Sequence, residues 1–189
     1  MVNRKVATLM LALSTAMGWQ AHASTVAVTD SSWHPFDVDS LSAASGGLEW
    51  IDISDGSALD FTINLAAPAL VTVVDGGFSG DRFQVFDNGT ALGVTSSAPN
   101  SYPTSVSTNF DAALASGYST ASFLLGAGAH DLTGLLFTSA VDGSNQPIDA
   151  TVGALRVEPV PLPGAALFLL SGGGLLSLLR RRRSMEEAA

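Results

Sequence analysis

Residues 59–65 read Leu-Asp-Phe-Thr-Ile-Asn-Leu, and residues 69–74 follow after a short break as Ala-Leu-Val-Thr-Val-Val. In the first stretch apolar residues alternate with polar ones, which is the pattern of a strand with one buried face. The second stretch is a short apolar run rich in β-branched residues, which also favours a strand. The two stretches predict β-structure at the centre of the chain.

Further strands are predicted on both sides of this centre. Asp87-Asn88-Gly89 is a strong hairpin-turn signal. The strands predicted around that turn and beyond it are Arg82–Phe86, Ala91–Thr95, Ser122–Leu125 and Asp131–Thr138, with weaker candidates at Val26–Val28, Leu48–Ile53 and Gly153–Val157.

Only one short helix is predicted, at Phe110–Ala115, capped by Thr108 or Asn109 and ended by Gly117. The strands are short, frequent and separated by Gly, Ser, Asp and Pro. Because no long amphipathic helix interrupts them, the pattern predicts an all-β domain. An antiparallel β-sandwich or jelly-roll-like fold is favoured over a parallel α/β sheet.

The charge distribution limits the possible partners. The chain has a formal charge of −9, but the stretch from Ser24 to Pro159 holds 15 of the 17 acidic residues, only two arginines and no lysine. Such an acidic surface repels phosphate backbones and anionic lipid headgroups, so nucleic acid is not expected as a partner. The chain has no cysteine, which excludes disulfides and thiolate chemistry.

The first 23 residues have the order of a secretory signal peptide. Arg4 and Lys5 precede an apolar stretch from Val6 to Gly18, and Ala21 and Ala23 supply small residues at a cleavage site. The alternative is a buried N-terminal helix. The three signals in this order predict cleavage after Ala23 and a mature chain that starts at Ser24.

The C-terminal region contains an uncharged run of 18 residues, Leu162–Leu179, followed at once by Arg180, Arg181, Arg182 and Arg183. As a helix this run would be about 27 Å long, close to the roughly 30 Å of a bilayer core. By the positive-inside rule the arginine cluster would stay in the cytoplasm and leave the preceding domain outside. A single C-terminal transmembrane helix is therefore predicted.

The order of parts at this end resembles the PEP-CTERM sorting tail: Val160-Pro161-Leu162-Pro163, then a Leu/Gly-rich span, then the arginine cluster. Leu162 stands where Glu is commonest, as in the VPLP variant of the motif. The resemblance implies that an exosortase, a membrane protease-transpeptidase, recognises the tail and cuts near the proline motif. It also implies transient anchoring in the inner membrane and delivery to the cell envelope surface or medium of a bacterium that makes extracellular polysaccharide.

These features divide the chain into four parts: signal peptide 1–23, exported domain 24–158, sorting tail 159–184 and cytoplasmic stub 185–189. One alternative is a single-span anchor that is never cut. A Gram-positive sortase signal is not supported. That motif is Leu-Pro-x-Thr-Gly, and the stretch from Leu162 to Ala166 has alanine at the positions of its Thr and its final Gly.

Two internal stretches resemble the sandwich domains of other PEP-CTERM proteins. They are Gly80-Asp81-Arg82-Phe83-Gln84-Val85-Phe86-Asp87-Asn88-Gly89 and Phe123-Leu124-Leu125-Gly126-Ala127-Gly128-Ala129-His130. The resemblance implies a shared architecture and no particular activity.

No enzyme signature stands out. A serine hydrolase would need His34 or His130 beside a Ser and an Asp, and the chain has no Gly-x-Ser-x-Gly motif. A glycosidase would need two carboxylates across a cleft, and pairs such as Asp37 and Asp39 are expected by chance among so many acids. The chain is therefore predicted to be non-enzymatic.

No cofactor is predicted, with calcium as the one candidate. Asp75 and Asp81 stand at the two ends of a glycine-rich loop, and calcium prefers carboxylate and carbonyl oxygens from loops. Asp52–Gly56 and Asp142–Asn145 have similar turn chemistry. The alternative for all three loops is Asp and Asn side chains that hydrogen-bond their own backbone.

Binding of extracellular polysaccharide is the main alternative to a purely structural role. Trp33, Trp50, Tyr102 and Tyr118 are the aromatic residues that would stack on sugar rings. A solvent-exposed row of them on one sheet would favour a carbohydrate-binding module, whereas burial would favour a role in the core. The leading prediction is an exported, non-enzymatic surface or extracellular-matrix protein.

Overall fold

A computed structural model of the chain describes residues 23–149 and 151–160. The regular secondary structure of this part consists of nine strands and one short helix, which confirms the predicted all-β fold. The elements are β1 (Ser24–Ala27), β2 (His34–Val38), β3 (Leu59–Leu65), β4 (Ala69–Asp75), β5 (Arg82–Asp87), β6 (Thr90–Val94), α1 (Phe110–Ala115), β7 (Thr120–Leu125), β8 (Gly128–Thr138) and β9 (Thr151–Pro159).

The strands form two sheets. The first has the order β1-β3-β8-β5-β6 and the second the order β2-β9-β4-β7. Every neighbouring pair is antiparallel except β1 and β3, which run parallel with Ser24 opposite Leu59. Most neighbouring strands of a sheet are distant in sequence, because the chain passes repeatedly from one sheet to the other.

The core lies between the two sheets. In β3, the alternation predicted from sequence places Leu59, Phe61 and Ile63 in the interior. Phe36 of the second sheet stacks on Trp50, with 4.0 Å between ring centroids, and meets the edge of Phe83 from the first sheet at 5.0 Å. Side chains from both sheets therefore share one core, which makes the fold β-sandwich-like.

A second, smaller cluster lies on the outer face of the second sheet. Val74 packs there against Phe110 and Ala113 of α1, whereas Val73 points into the main core. The Asn109 side chain accepts a hydrogen bond from the Ala112 N–H at 3.0 Å, so Asn109 caps the helix. The helix is thereby held on the sheet at the position predicted from sequence.

The hairpin prediction is confirmed in detail. Asn88 and Gly89 have φ values of 48° and 74°, as the two central residues of a type I′ turn require. The weaker prediction of a strand at Leu48–Ile53 is wrong, because this segment makes only isolated bridges, to Asp37, Ala58 and Leu135.

Two ends of the molecule are defined by the central strands β4 and β9. At the carboxylate end Asp75 lies opposite Gly153, and at the tail end Ala69 lies opposite Pro159. The carboxylate end comprises Asp75, Asp81 and the loops 76–81 and 139–149. The tail end comprises Pro159, Val160, the hairpin tip 87–90 and the turn 125–130. With a rise of about 3.3 Å per residue, β9 separates the two ends by about 26 Å.

Candidate functional site

Asp75, the last residue of β4, is fully buried at the carboxylate end. Its Oδ2 atom accepts a hydrogen bond from the Gly80 N–H at 3.1 Å. Within the described residues its Oδ1 atom is buried and has no hydrogen-bond partner. Burial, and then the charge of Asp81, raise the pKa of Asp75 to about 9, against the opposing effect of the N–H groups of Gly80, Asp81 and Gly76.

Asp81, which directly precedes β5, is 3% exposed. Its Oδ1 accepts the Ala140 N–H at 2.6 Å, and its Oδ2 accepts the Thr151 hydroxyl at 2.9 Å. Burial raises the pKa of Asp81 to about 6, although these two hydrogen bonds favour the charged form. Asp81 thus connects the start of β5 to the loop after β8 and to the start of β9.

No cationic side chain pairs with these two carboxyl groups within residues 23–149 and 151–160, where the ion pairs involve other acids. Arg82 is adjacent to Asp81 but donates to the Thr95 carbonyl at 3.0 Å and lies over the Phe137 ring at 5.3 Å. The same part of the chain has no group of three or more His, Asp or Glu side chains suited to a metal ion. Calcium at Asp75 and Asp81 stays a prediction.

The other two candidate calcium loops, Asp52–Gly56 and Asp142–Asn145, are stabilised by local hydrogen bonds. Asp52 accepts from the N–H and the hydroxyl of Ser54 at 2.8 and 2.6 Å. Asp142 accepts from the N–H groups of Ser144 and Gln146 at 2.8 and 2.9 Å. These side chains stabilise their own turns, as the alternative interpretation of the sequence expected.

The four aromatic residues considered for sugar stacking are dispersed. Trp50 is 1% exposed in the main core, and Tyr118 is buried in the smaller cluster. Trp33 is half-buried under the Arg156 guanidinium at 4.3 Å, and its indole N–H donates to Asp111 at 2.9 Å. Tyr102 is 43% exposed and packs against Phe78 at 5.2 Å. They do not form a row on one sheet.

The tail end contains an apolar cleft with a volume of about 1010 Å³. Its walls include Ile63 and Leu65 from β3, Ala69 from β4 and Val157 from β9, and its rim includes His130. The cleft lies where β9 ends, since Pro159 and Val160 also line it. It is therefore adjacent to the point where the predicted sorting motif begins.

His130 forms a partly buried ion pair at this end, which the sequence did not predict. Its Nδ1 lies 2.8 Å from Asp87 Oδ2, and its Nε2 lies 3.1 Å from the Gly126 carbonyl. Burial lowers the pKa of His130, but the hydrogen bonds to Asp87 and Gly126 and the charge of Asp87 together outweigh this and raise it. Both ring nitrogens face oxygen acceptors, so the protonated imidazole satisfies both and neither is engaged with a serine.

A signal for this pair was present in the sequence. Asp87 and His130 belong to the two stretches that resemble other PEP-CTERM sandwich domains. The structure brings those stretches together, because β5 and β8 are hydrogen-bonded neighbours.

Most of the predicted sorting residues lie outside the described part of the chain: Ala21, Pro161, Leu162, Pro163, Arg180, Arg181, Arg182 and Arg183. Ala23 is exposed just before β1. Val160 is 41% exposed, and its N–H reaches the Pro68 carbonyl at 3.4 Å. Among the described residues, no helix is long and apolar enough to cross a membrane, and the predicted transmembrane run 162–179 lies outside these residues.

Comparisons with known proteins give little. No protein-family model matches the chain, and no curated protein matches it at a significant level. Among solved structures, the pre-peptidase C-terminal domain of a collagenase from Bacillus anthracis matches with a TM-score of 0.36 and 10% sequence identity, over 72% of this chain and 95% of that domain.

Proposed function

We propose that this protein is an exported, non-enzymatic component of the cell surface or extracellular matrix, sorted through a PEP-CTERM-type tail that an exosortase processes. The observation that carries the proposal is the order of parts after β9. The strand ends at Pro159, the Val-Pro-Leu-Pro motif starts at Val160, and the uncharged run and four arginines follow.

The physical properties of the tail suit transient anchoring. Proline fixes φ and disfavours helix in the residue before it, so Pro161 and Pro163 are expected to keep the motif extended, as a protease cleft requires. The Gly172-Gly173-Gly174 triplet weakens the membrane helix by up to about 1 kcal/mol per glycine. A weak helix is a poor permanent anchor, but it is adequate for a segment that is removed.

The position of the motif on the domain also supports processing. Val160 is 41% exposed at the end of β9, where a protease can reach the residues that follow. The folded domain would stay on the outer side of the membrane, with the tail end facing the bilayer and the carboxylate end directed away from it.

The arrangement of β2–β9 supports the jelly-roll-like architecture. Without the parallel strand β1, the sheets have four strands each, in the orders β3-β8-β5-β6 and β2-β9-β4-β7. Eight antiparallel strands in two packed sheets are the basis of jelly rolls, which occur in capsid and lectin domains. A sugar-binding module is the less supported candidate, because Trp50 and Tyr118 are used in the cores.

Tail variants test the proposal in the natural host. We expect wild-type protein in the medium or on the cell surface as a shortened form. Replacing Arg180, Arg181, Arg182 and Arg183 with serine should remove the stop to translocation, and Pro161→Ala with Pro163→Ala should leave the tail uncut in the membrane. Immunoblots of medium, membrane and cytosol measure both effects.

The matched control is Glu186→Gln with Glu187→Gln, which changes two charges next to the arginine cluster and should process normally. A full-length wild-type chain that stays in the membrane would instead establish the uncut single-span anchor. Wild-type and proline-variant chains of equal length would contradict the proposal.

A further inference from the structure

The carboxylate end buries two acids that have no cationic partner among residues 23–149 and 151–160. Asp75 is fully buried and Asp81 is 3% exposed. The ion pairs within the described residues leave both without a cationic partner. A buried carboxylate is costly unless it is protonated, or paired and hydrogen-bonded. A cation that takes the place of the proton on Asp75 would offset the same cost.

The hydrogen bonds leave one place for such a charge. Asp81 receives donors on both oxygens, from Ala140 and Thr151. Asp75 receives the Gly80 N–H on Oδ2, while Oδ1 is buried and has no partner among the described residues. A buried oxygen without a hydrogen-bond partner lowers the stability of the fold, because its desolvation is not offset. A cation bound there would offset it.

We infer that the carboxylate end binds one calcium ion, with Asp75 and Asp81 as its charged ligands. The double positive charge matches two carboxylates. Calcium accepts six to eight oxygens in flexible geometry, and carbonyl and hydroxyl groups commonly complete its shell.

Neutral oxygens lie in the loop between the two acids and in segments next to it. Ser79 is 4% exposed and stands between the two acids in sequence, and the Thr151 hydroxyl donates to Asp81. The Asn100 Oδ1 lies beside Gly80, 3.2 Å from where a Cβ on that glycine would be, and accepts the Val141 N–H at 3.1 Å. Magnesium is less suited to this site, because it requires a strict octahedral geometry and keeps several water ligands.

The inference goes beyond sorting and depends on other residues. It relies on the proposed function only for the calcium supply, since millimolar calcium is met outside the cell. Calcium-binding modules of extracellular proteins work at about 0.1–1 mM. None of the ligands belongs to the tail, so a failure of one proposal leaves the other standing.

The test is calcium titration of the full-length chain, purified in dodecyl maltoside and stripped with EGTA at pH 7.5. We expect 5 mM CaCl₂ to raise the melting temperature by about 4–8 °C, with a stoichiometry of about one by calorimetry. MgCl₂ at the same concentration should give a smaller shift. Asp75→Asn and Asp81→Asn should each remove the calcium shift.

Asp142→Asn is the matched control, because it changes an acid in another loop of similar composition and should keep the full shift. A wild-type chain without a shift in calcium would overturn the inference, and this arm does not depend on whether the variants fold. A shift retained by both Asp75→Asn and Asp81→Asn would overturn it as well, since the ion would then bind elsewhere.

Discussion

The acids at the two ends of the sandwich differ in burial and in the groups that pair with them. At the tail end, Asp87 pairs with His130 at 2.8 Å, and the two side chains are 16% and 12% exposed. At the carboxylate end, Asp75 and Asp81 are more deeply buried, and the described residues that hydrogen-bond to their side chains are all neutral. The tail end therefore pairs its acid with a histidine of the chain, whereas the described part of the carboxylate end offers only neutral hydrogen-bond donors.

The largest effect is expected from Asp81→Ala. The substitution leaves the Ala140 N–H without its acceptor in a buried place and removes the acceptor of the Thr151 hydroxyl. We expect the free energy of unfolding to fall by about 2–4 kcal/mol, measured by urea denaturation in EGTA. Thr151→Val, which removes only one donor, should cost about 1 kcal/mol. Equal losses in the two variants would contradict the role given to the Ala140 contact.

Substitutions of one glycine at each end would compare how closely the two ends are packed. Gly80 and Gly128 have φ values of 135° and 138°, so alanine is similarly strained in both places. At Gly80 an added Cβ would lie 3.1 Å from the Ala140 Cα, whereas at Gly128 nothing lies within 4 Å. We expect Gly80→Ala to lower the free energy of unfolding by about 1 kcal/mol more than Gly128→Ala. If Gly128→Ala costs as much, the carboxylate end is not closely packed around Gly80.

The smallest expected effect is the pH dependence of stability that His130 contributes at the tail end. The pKa of His130 lies above its ordinary value of 6.5 in the folded chain, so protonation favours folding. This contribution is complete below pH 6.5 and is lost as the pH rises through the raised pKa. Because the pair is partly solvent-screened, we expect at most about 1 kcal/mol.

Thermal unfolding of the wild type and of His130→Gln between pH 5 and 9 measures that contribution as their difference. Asp87→Asn should give the same flattened profile, because it removes the other half of the pair. A difference that grows with rising pH would show the wrong sign and contradict the assignment.

The sequence predicted the elements better than the contacts between them. Alternation in Leu59–Leu65 predicted β3, and Asn88-Gly89 predicted the turn after β5, because these signals are local. β2 was not predicted, since Pro35 interrupts its short pattern, and proline is tolerated there only because β2 is an edge strand. Leu48–Ile53 was predicted as a strand because it is rich in apolar residues, but only Trp50 and Ile51 are buried, and the segment makes isolated bridges instead of a continuous ladder.

The candidate site was partly predictable. The glycine-rich loop drew attention to Asp75 and Asp81, but composition does not reveal burial or missing partners. The bond from Thr151 to Asp81 spans 70 residues and depends on strand register, which a single sequence does not specify. His130 was considered in the sequence as a possible hydrolase base and as part of a motif, and Asp87 as part of another motif. Their contact follows from the pairing of β5 with β8.

The account depends most on export followed by removal of the tail. Intact-mass measurement of the protein recovered from the medium and from the cell surface tests this directly. The account predicts a chain that starts at Ser24 and ends near Val160–Pro163, without the arginine cluster. A cytosolic chain that retains both Met1 and Ala189 would contradict it.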